Sequence, residues 1–427
     1  MQTTIVAIAT PPGNSGVGIV RISGPKALAI ASKMHNRKKP LQERKATIVH
    51  VCNDTALALY FKAPNSFTGE EVVEFQCHGG WLLLNKVVET AISNGAALAT
   101  RGEFSKRAFL GGRLSLDQAE AIIEIINAES EIHLKYATNV FSGTLKNRLA
   151  ITEKSLIEIS AQIEAALDYP DEVETPKIYE PVKKLLDQIK DLTSTAATGR
   201  IIANGINVAV LGKPNVGKSS IFNALLQYDR SIVTEIPGTT TDTITDAIMY
   251  DGIKMIFHDT AGLRESKSKI ERLGIERSKK SIEACDIALV IFDATDLEVP
   301  ELLELVKNKP HLVVYNKCDL ARRSGVFCVS AKTGEGVQDI KEKILRLAIQ
   351  TPPASDQIVI TNSRHAAELS QVQHALENAL ASLTAQMPLD CVATDIGAAL
   401  QHIGNITGTR ASEAVLDEIF SRFCLGK

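Results

Sequence analysis

Eight consecutive residues in the middle of the chain have the types and spacing of a phosphate-binding loop. Residues 212–219 read Gly-Lys-Pro-Asn-Val-Gly-Lys-Ser and match the pattern G-x-x-x-x-G-K-[ST] in full. The glycines let backbone N–H groups curl around a β-phosphate, Lys218 offers a point charge to the β and γ oxygens, and the Ser219 hydroxyl can ligate Mg²⁺. We therefore expect nucleotide contacts from Asn215, Val216, Gly217, Lys218, Ser219 and Ser220.

Three shorter motifs follow in order and predict which nucleotide is bound. Residues 259–262 (Asp-Thr-Ala-Gly) suit the magnesium shell and the γ-phosphate, and residues 316–319 (Asn-Lys-Cys-Asp) suit the base. An aspartate in the latter motif accepts from N1–H and N2–H of guanine, and an adenine edge cannot supply both donors. Residues 330–332 (Ser-Ala-Lys) complete the base pocket. The expected GTP contacts are Asp259, Thr260, Ala261, Gly262, Asn316, Lys317, Asp319, Ser330, Ala331 and Lys332.

The segment between the loop and Asp259 predicts a further magnesium ligand. Residues 237–242 read Pro-Gly-Thr-Thr-Thr-Asp, and a threonine here typically completes the magnesium shell when a γ-phosphate is present. We assign Thr240, with Thr239 or Thr241 as the alternative registers. GTP contacts are also expected from Thr234, Glu235, Ile236, Pro237, Gly238, Thr239 and Thr240.

One position departs from the commonest hydrolytic arrangement. Ras-like enzymes often carry glutamine directly after the Asp-x-x-Gly motif to orient the attacking water, and this chain carries Leu263. Leucine cannot orient water, so another group must. Glu271 is the candidate, with a solvated helix charge as its alternative role. The side-chain oxygen of Asn215 could hold a monovalent cation that supplies the positive charge of an arginine finger.

The elements that position these motifs alternate between strands and helices. Apolar runs at Ile206–Leu211, Ile253–Phe257, Ile287–Phe292, Leu312–Tyr315 and Val326–Val329 are separated by helical stretches. Such alternation predicts a parallel sheet with crossover helices, and a motif at each strand end is typical of a nucleotide site. Residues 206–348 resemble the Ras-like GTPase superfamily.

The segments on either side of the GTPase motifs have residue patterns that differ from the GTPase segment. We therefore expect a multidomain chain of the α/β and α+β classes. Residues 1–113 mix short β-branched runs with Gly and Pro and predict a small α+β domain. Residues 114–204 and 351–427 show helical apolar spacing and are expected to form one helical domain. The GTPase domain, residues 205–350, is then inserted into that helical domain.

The bulk composition excludes several classes of protein. The chain has 427 residues, 44% of them hydrophobic, and a net charge of −3, which argues against nucleic-acid binding by overall charge and leaves a local basic patch possible. The sequence contains no apolar run of about 18 residues and no signal peptide, so a cytoplasmic protein without a membrane span is expected. Seven scattered cysteines without a CxxC pair indicate reduced thiols.

Two further motifs carry a family resemblance over essentially the whole chain. Residues 102–109 read Gly-Glu-Phe-Ser-Lys-Arg-Ala-Phe, and the last five residues read Phe-Cys-Leu-Gly-Lys. Together with the nucleotide motifs, the chain resembles the MnmE (TrmE) family of tRNA-modification GTPases. The resemblance implies a homodimer that forms a heterotetramer with the FAD-binding protein MnmG (GidA). It also implies tRNA as substrate, with an aminomethyl or carboxymethylaminomethyl group added at C5 of the wobble uridine.

The resemblance also implies cofactors and residue roles. The one-carbon donor would be 5-formyl- or methylene-tetrahydrofolate, bound by the N-terminal α+β domain, which also dimerises. The folate residues would be Arg21, Glu74, Arg113 and Lys427, and Cys424 would take a catalytic part in the modification. Mg²⁺ would be held by Ser219 and Thr240. K⁺, which stimulates hydrolysis in the family, would be held by Asn215, Thr234, Ile236 and Thr239, and the water would be positioned by Glu271.

Some alternatives remain open on the sequence. Thr241 stands where the family usually has arginine, and Arg113 where it often has lysine. Arg21 and Glu74 could form a structural ion pair, and Cys424 could be an inert thiol. A GTP-regulated switch that docks on RNA is a rival function, although the C-terminal helices hold no convincing GXXG clamp of a KH domain. A folate-binding scaffold with a degenerate GTPase is a third reading, against which the intact Lys218, Ser219 and Asp259 argue.

Overall fold

The computed structural model describes residues 3–228, 246–259, 282–296, 300–349, 353–354 and 357–426. Its backbone divides into two compact units. The first contains Met1–Ile126, Asn139–Lys183 and Gln371–Lys427, and the second contains Asn127–Thr138 and Lys184–Ser370.

The first unit begins with a six-stranded sheet and two covering helices. Its elements are β1 (Ile5–Ile8), β2 (Ser15–Ser23), α1 (Ala27–Met34), β3 (Thr47–Val51), β4 (Asp54–Phe61), β5 (Val72–Gly79), α2 (Trp81–Ser93) and β6 (Ala97–Leu98). The strand order is β3-β4-β5-β2-β1-β6, antiparallel except for the β1–β6 pair. Burial alternates along β3 and β4, so one face of the sheet carries the core, in which Val20, Phe75 and Leu84 are at most 2% exposed.

Helices form in the two segments that the sequence predicts to be helical. Before the second sheet they are α3 (Glu103–Leu110), α4 (Leu116–Asn127), α5 (Glu131–Phe141), α6 (Thr144–Asp168), α7 (Tyr179–Ser194) and α8 (Ala196–Asn204). Near the C-terminus they are α12 (Ser363–Thr384), α13 (Leu389–Thr407) and α14 (Glu413–Ser421). Helix α6 buries Leu145, Leu149, Leu156 and Ile163 at helical spacing and packs against α13. The connection between α6 and α7 contains Pro170 and Pro176.

The second unit contains a five-stranded sheet flanked by helices. Its elements include β7 (Ile206–Leu211), α9 (Lys218–Tyr228), β8 (Asp246–Tyr250), β9 (Ile253–Asp259), β10 (Ile287–Asp293), α10 (Pro300–Val306), β11 (His311–Asn316) and α11 (Val337–Ala348). The strand order is β11-β10-β7-β9-β8. The central strands β7 and β10 are apolar on both faces because helices cover both sides of a parallel sheet.

Two features of this sheet correct the sequence prediction. Residues Val326–Val329, predicted as a fifth parallel strand, form an isolated bridge between Cys328 and Tyr315 and no named strand. The edge strand β8 was not predicted, and it pairs antiparallel with β9 through the turn at Asp251-Gly252. The sheet is therefore mixed, with one antiparallel edge.

The described helices also test the membrane prediction. None of the helices in the described ranges combines the length and apolarity that crossing a bilayer needs.

Candidate functional site

The predicted phosphate loop lies directly between β7 and α9. It leaves the sheet at Gly212, turns through Asn215 and Gly217, which have φ of +66° and +91°, and enters α9 at Lys218. A Cβ on Gly217 would lie 2.2 Å from Nδ2 of Asn316, so only glycine fits between the loop and the neighbouring strand end. The backbone therefore has the curl that a phosphate cradle requires.

Lys218 reaches back across this loop. Its ammonium group donates to the carbonyl oxygens of Gly212 and Lys213, each at 2.9 Å. Ser219 and Ser220, the next residues of α9, are both exposed at the helix N-terminus, where anions are favoured. The ammonium group thus lies over the start of the loop, and the two serines lie where the loop enters α9.

Asn316 connects the loop to the base motifs. It is 2% exposed, donates from Nδ2 to the carbonyl oxygen of Val216 at 2.9 Å, and accepts at Oδ1 from the backbone N–H of Ala331 at 3.1 Å. The side chain was predicted as a nucleotide contact, and in the structure it holds the three motifs in register. Each buried polar atom is satisfied, which stabilises this arrangement.

The carboxylate of Asp319 is exposed and oriented. Ser330 donates from Oγ to Oδ1 of Asp319 at 2.7 Å, and Ser330 Oγ accepts in turn from the backbone N–H of Thr333 at 3.2 Å. Ala331 and Lys332 continue the same loop. The sequence placed Asp319 and Ser330 in one pocket, and the structure brings them into contact.

Asp293 is a site residue that sequence reasoning missed. It ends β10 and accepts from Nζ of Lys317 at 2.5 Å, while Lys317 also donates to the carbonyl oxygen of Asn215 at 3.0 Å. Burial raises the pKa of Asp293, but hydrogen bonds from Lys317 and Thr295 outweigh it and lower that pKa below its ordinary value. The available signal was an aspartate at a strand end, as for Asp259.

The remaining nucleotide residues are only partly within the described ranges. Asp259 ends β9 and its backbone is in register with Val210 on β7, two residues before Gly212. Several predicted residues lie outside the described ranges: Thr234, Glu235, Ile236, Pro237, Gly238, Thr239, Thr240, Thr260, Ala261, Gly262, Leu263 and Glu271.

A second polar site lies on the face of the first sheet opposite the core of Val20 and Phe75, where Ile5, Ala7 and Phe104 are also buried. Arg21 on β2 is directly opposite Glu74 on β5, and its Nε donates to Oε1 of Glu74 at 2.7 Å. The two side chains are 16% and 14% exposed. The guanidinium carbon lies 5.6 Å from the ring centroids of both Phe67 and Phe104, two aromatic neighbours that the sequence did not predict.

The C-terminal tail reaches this same site. Nη1 of Arg21 donates to the carbonyl oxygen of Gly426 at 3.4 Å. Gly426 has φ of +89°, and a Cβ there would lie 2.1 Å from the carbonyl oxygen of Ile8, so the tail passes against β1 too closely for a side chain. The structure thus brings Gly426 of the C-terminal motif to the Arg21–Glu74 pair.

The remaining residues predicted for this site are Cys424, Arg113 and Lys427. Cys424 is an exposed free thiol between the buried Phe423 and Gly426. Arg113 is exposed, and its Cγ lies 3.3 Å from the position that a Cβ of Gly69 would take. Lys427 lies outside the described residues.

Family models and full-length relatives match nearly the whole chain. The model of the MnmE helical domain matches residues 116–424, and the model of the N-terminus of the GTP-binding protein TrmE matches residues 4–113. The tRNA modification GTPase MnmE of Clostridioides difficile is 38% identical over all of both chains. That of Caldicellulosiruptor saccharolyticus is 39% identical over 99% of both. The FeoB G-domain of Methanococcus jannaschii is 27% identical over 34% of this chain and 97% of that one, with a TM-score of 0.26.

The family assignment rests on the two family models and the full-length relatives, which agree with the phosphate loop and the base motifs. This assignment identifies the protein as a GTP hydrolase. The chain belongs to the MnmE family of tRNA modification GTPases.

Proposed function

We propose that this protein couples potassium-dependent GTP hydrolysis to modification of the wobble uridine of tRNA. The observation that carries the proposal is the pair of sites described above: a GTP loop in one unit, and a C-terminal tail seated beside Arg21 and Glu74 in the other. The proposed product carries an aminomethyl or carboxymethylaminomethyl group at C5, made together with the FAD-binding protein MnmG (GidA).

The nucleotide half of the mechanism assigns a role to each loop residue. Lys218 binds the β and γ oxygens, and Asp319, oriented by Ser330, accepts from the guanine edge. Ser219 and Thr240 would hold Mg²⁺. Asn215, Thr234, Ile236 and Thr239 would hold K⁺. When bound, the two cations supply the positive charge that stabilises the phosphoryl oxygens during transfer to water.

The attacking water needs a positioning residue because Leu263 cannot orient it. We assign that role to Glu271, whose carboxylate can accept a hydrogen bond from the water. The GTP-binding residues of this half include Thr260, Ala261 and Gly262 beside the γ-phosphate.

The folate half uses the partly exposed groups around the tail. The Arg21–Glu74 pair presents a guanidinium and a carboxylate that suit the polar edge of a pterin. Of the two rings beside Arg21, Phe104 is buried and the partly exposed Phe67 is available to the flat face of a pterin. Arg113 and Lys427 would bind the anionic end of a 5-formyl- or methylene-tetrahydrofolate. Cys424 is accessible for chemistry on the uridine.

We also propose the assembly and domain organisation expected from the family. Residues 1–113 would bind folate and dimerise, residues 205–350 would form the GTPase domain, and residues 114–204 and 351–427 would form the helical domain. A homodimer of the chain would combine with MnmG in a heterotetramer that acts on tRNA in the cytoplasm.

The cation requirement tests the nucleotide half directly. We expect the GTP hydrolysis rate to rise at least about tenfold when KCl replaces NaCl at equal ionic strength, about 1.4 kcal/mol in the barrier. Asn215→Gly keeps the positive φ and removes the side-chain oxygen, so it should abolish the difference between the two salts. Equal wild-type rates in KCl and NaCl would contradict the proposal.

A further inference from the structure

One strongly charged surface of the first unit takes no part in either site. Residues 33–62 contain seven basic and two acidic side chains, a net of +5 in a chain whose total is −3. The rest of the chain therefore sums to −8. The seven cations form what we call the basic surface: Lys33, Arg37, Lys38, Lys39, Arg44, Lys45 and Lys62.

The segment that carries the basic surface is fixed to the sheet. Leu41, in the loop between α1 and β3, is 5% exposed and belongs to the core. The backbone N–H of Arg44 donates to the carbonyl oxygen of Tyr60 at 2.8 Å, and Nη2 of Arg44 donates to the carbonyl oxygen of Asn65 at 3.0 Å. These contacts place Arg44 and Lys45 beside the strand end that leads to Lys62.

The cations of the basic surface are not neutralised within the part of the chain that the structure describes. All seven side chains are exposed, and none forms an ion pair with a described residue. By contrast, Lys106, Arg107 and Lys254 each pair with a carboxylate. A surface of unpaired cations on an acidic protein attracts a polyanion.

The chemistry of the surface favours RNA phosphates over protein or lipid. The loop between α1 and β3, residues 35–46, carries five of the seven cations. Its one large apolar residue, Leu41, is 5% exposed, so this loop offers no apolar group to a protein interface or for insertion into a membrane. The loop contains no aromatic side chain on which an unpaired base could stack. Lysine and arginine alone contact the sugar–phosphate backbone without reading sequence.

We infer that the basic surface binds the phosphate backbone of the tRNA. The inference rests on the proposed function for the identity of the RNA. Because backbone contacts are independent of sequence, the surface would contribute the same affinity to different tRNAs.

The test compares two triple variants of the full-length protein. Arg37→Gln/Lys38→Gln/Lys39→Gln removes three charges from the basic surface. Lys177→Gln/Lys183→Gln/Lys184→Gln removes three exposed charges from the segment around α7 and is the matched control. The probe is an unmodified tRNA transcript, titrated by fluorescence anisotropy at several KCl concentrations.

The basic-surface variant should bind at least about fivefold more weakly near 0.1 M salt, and its slope of log affinity against log salt should fall by about 2 to 3. The control should stay within about twofold of wild type, and both variants should hydrolyse GTP at the wild-type rate. Equal affinities in the two variants would overturn the inference, as would loss of binding to MnmG or to anionic vesicles with tRNA binding intact. Wild-type protein that binds no tRNA would instead contradict the proposed function itself.

Discussion

We propose that a single carboxylate, that of Asp319, selects the base of the nucleotide. Ser330 donates to Oδ1, so the direction of the carboxylate toward solvent is set by a 2.7 Å hydrogen bond. Guanine offers two donors to such a group, and xanthine replaces the exocyclic amine by a carbonyl. Base selectivity therefore depends on whether residue 319 accepts or donates.

Asp319→Asn should reverse the preference of the site from guanine to xanthine. We expect GTP affinity to fall roughly 100-fold, about 3 kcal/mol, because a hydrogen bond to a charged acceptor is lost and a donor faces a donor. Affinity for xanthosine triphosphate should rise. Competition binding with the two nucleotides measures both effects, and Asp339→Asn, on the exposed side of α11, is the control. An unchanged order of affinities would remove Asp319 from the base pocket.

Residue-level motifs were predictable where the chemistry is local in sequence. Gly217 and Lys218 belong to one eight-residue pattern, and the structure confirms the loop that the pattern predicts. The role of Asp293 was not predictable, because its partner Lys317 lies 24 residues later and no pattern links them. The second role of Asn316, between Val216 and Ala331, likewise depends on tertiary contacts.

At the scale of elements, a half-buried carboxylate links helix α8 to the second sheet. Asp286, just before β10, accepts from Nη2 of Arg200 on α8 at 2.7 Å and from the backbone N–H of Asn207 on β7 at 2.8 Å. Burial raises the pKa of Asp286, and the hydrogen bonds from Arg200 and Asn207 outweigh it, so that pKa is lower in the folded state. These hydrogen bonds therefore stabilise the folded state at pH values above the ordinary pKa of aspartate.

Asp286→Asn should destabilise the protein in a pH-dependent way. A lowered folded pKa contributes stability that is present above the unfolded pKa and is lost as pH falls through the folded value. We expect a loss of about 1 to 3 kcal/mol at pH 7, shrinking below about pH 4. Urea unfolding at both pH values measures this, with the exposed Asp187→Asn as control. A loss that is the same at both pH values would show that the charge does not matter.

Elements were predictable where burial is uniform. Strands β7, β10 and β11 are runs of apolar residues, and the prediction for each is confirmed to within about one residue. Strand β8 is a short edge strand with a mixed sequence, and it pairs with β9, its neighbour in sequence. Val326–Val329 is an apolar run, but it meets β11 through the single Tyr315–Cys328 bridge. Whether a short segment pairs along its whole length depends on tertiary contacts, which a local pattern does not contain.

At the scale of the whole molecule, the two ends of the chain meet in the first unit. The tail rests on Phe423, which lies 5.1 Å from Phe420 between ring centroids, and on Gly426 against β1. The family resemblance of the C-terminal motif can be recognised from the sequence alone. The contact of this motif with Arg21 could not be predicted from local patterns, because the two positions are 405 residues apart.

Gly426→Ala should separate folate binding from GTP hydrolysis. The added Cβ would lie 2.1 Å from the carbonyl oxygen of Ile8, so the tail must move away from Arg21. We expect affinity for 5-formyltetrahydrofolate, measured by calorimetry, to fall at least about fivefold (about 1 kcal/mol), while the GTPase rate is unchanged. Gly95→Ala has the same positive φ with open space around it and is the control. Wild-type folate affinity in Gly426→Ala would argue against a folate site at the tail.

The central claim is that GTP hydrolysis by this protein drives modification of tRNA. The most direct measurement is nucleoside analysis of bulk tRNA from cells that lack the protein, complemented with wild type or with Lys218→Ala. We expect the C5-modified wobble uridine to disappear in the deletion, to return with wild type, and not to return with Lys218→Ala. Normal levels of the modified uridine in the deletion, or full restoration by Lys218→Ala, would contradict the central claim.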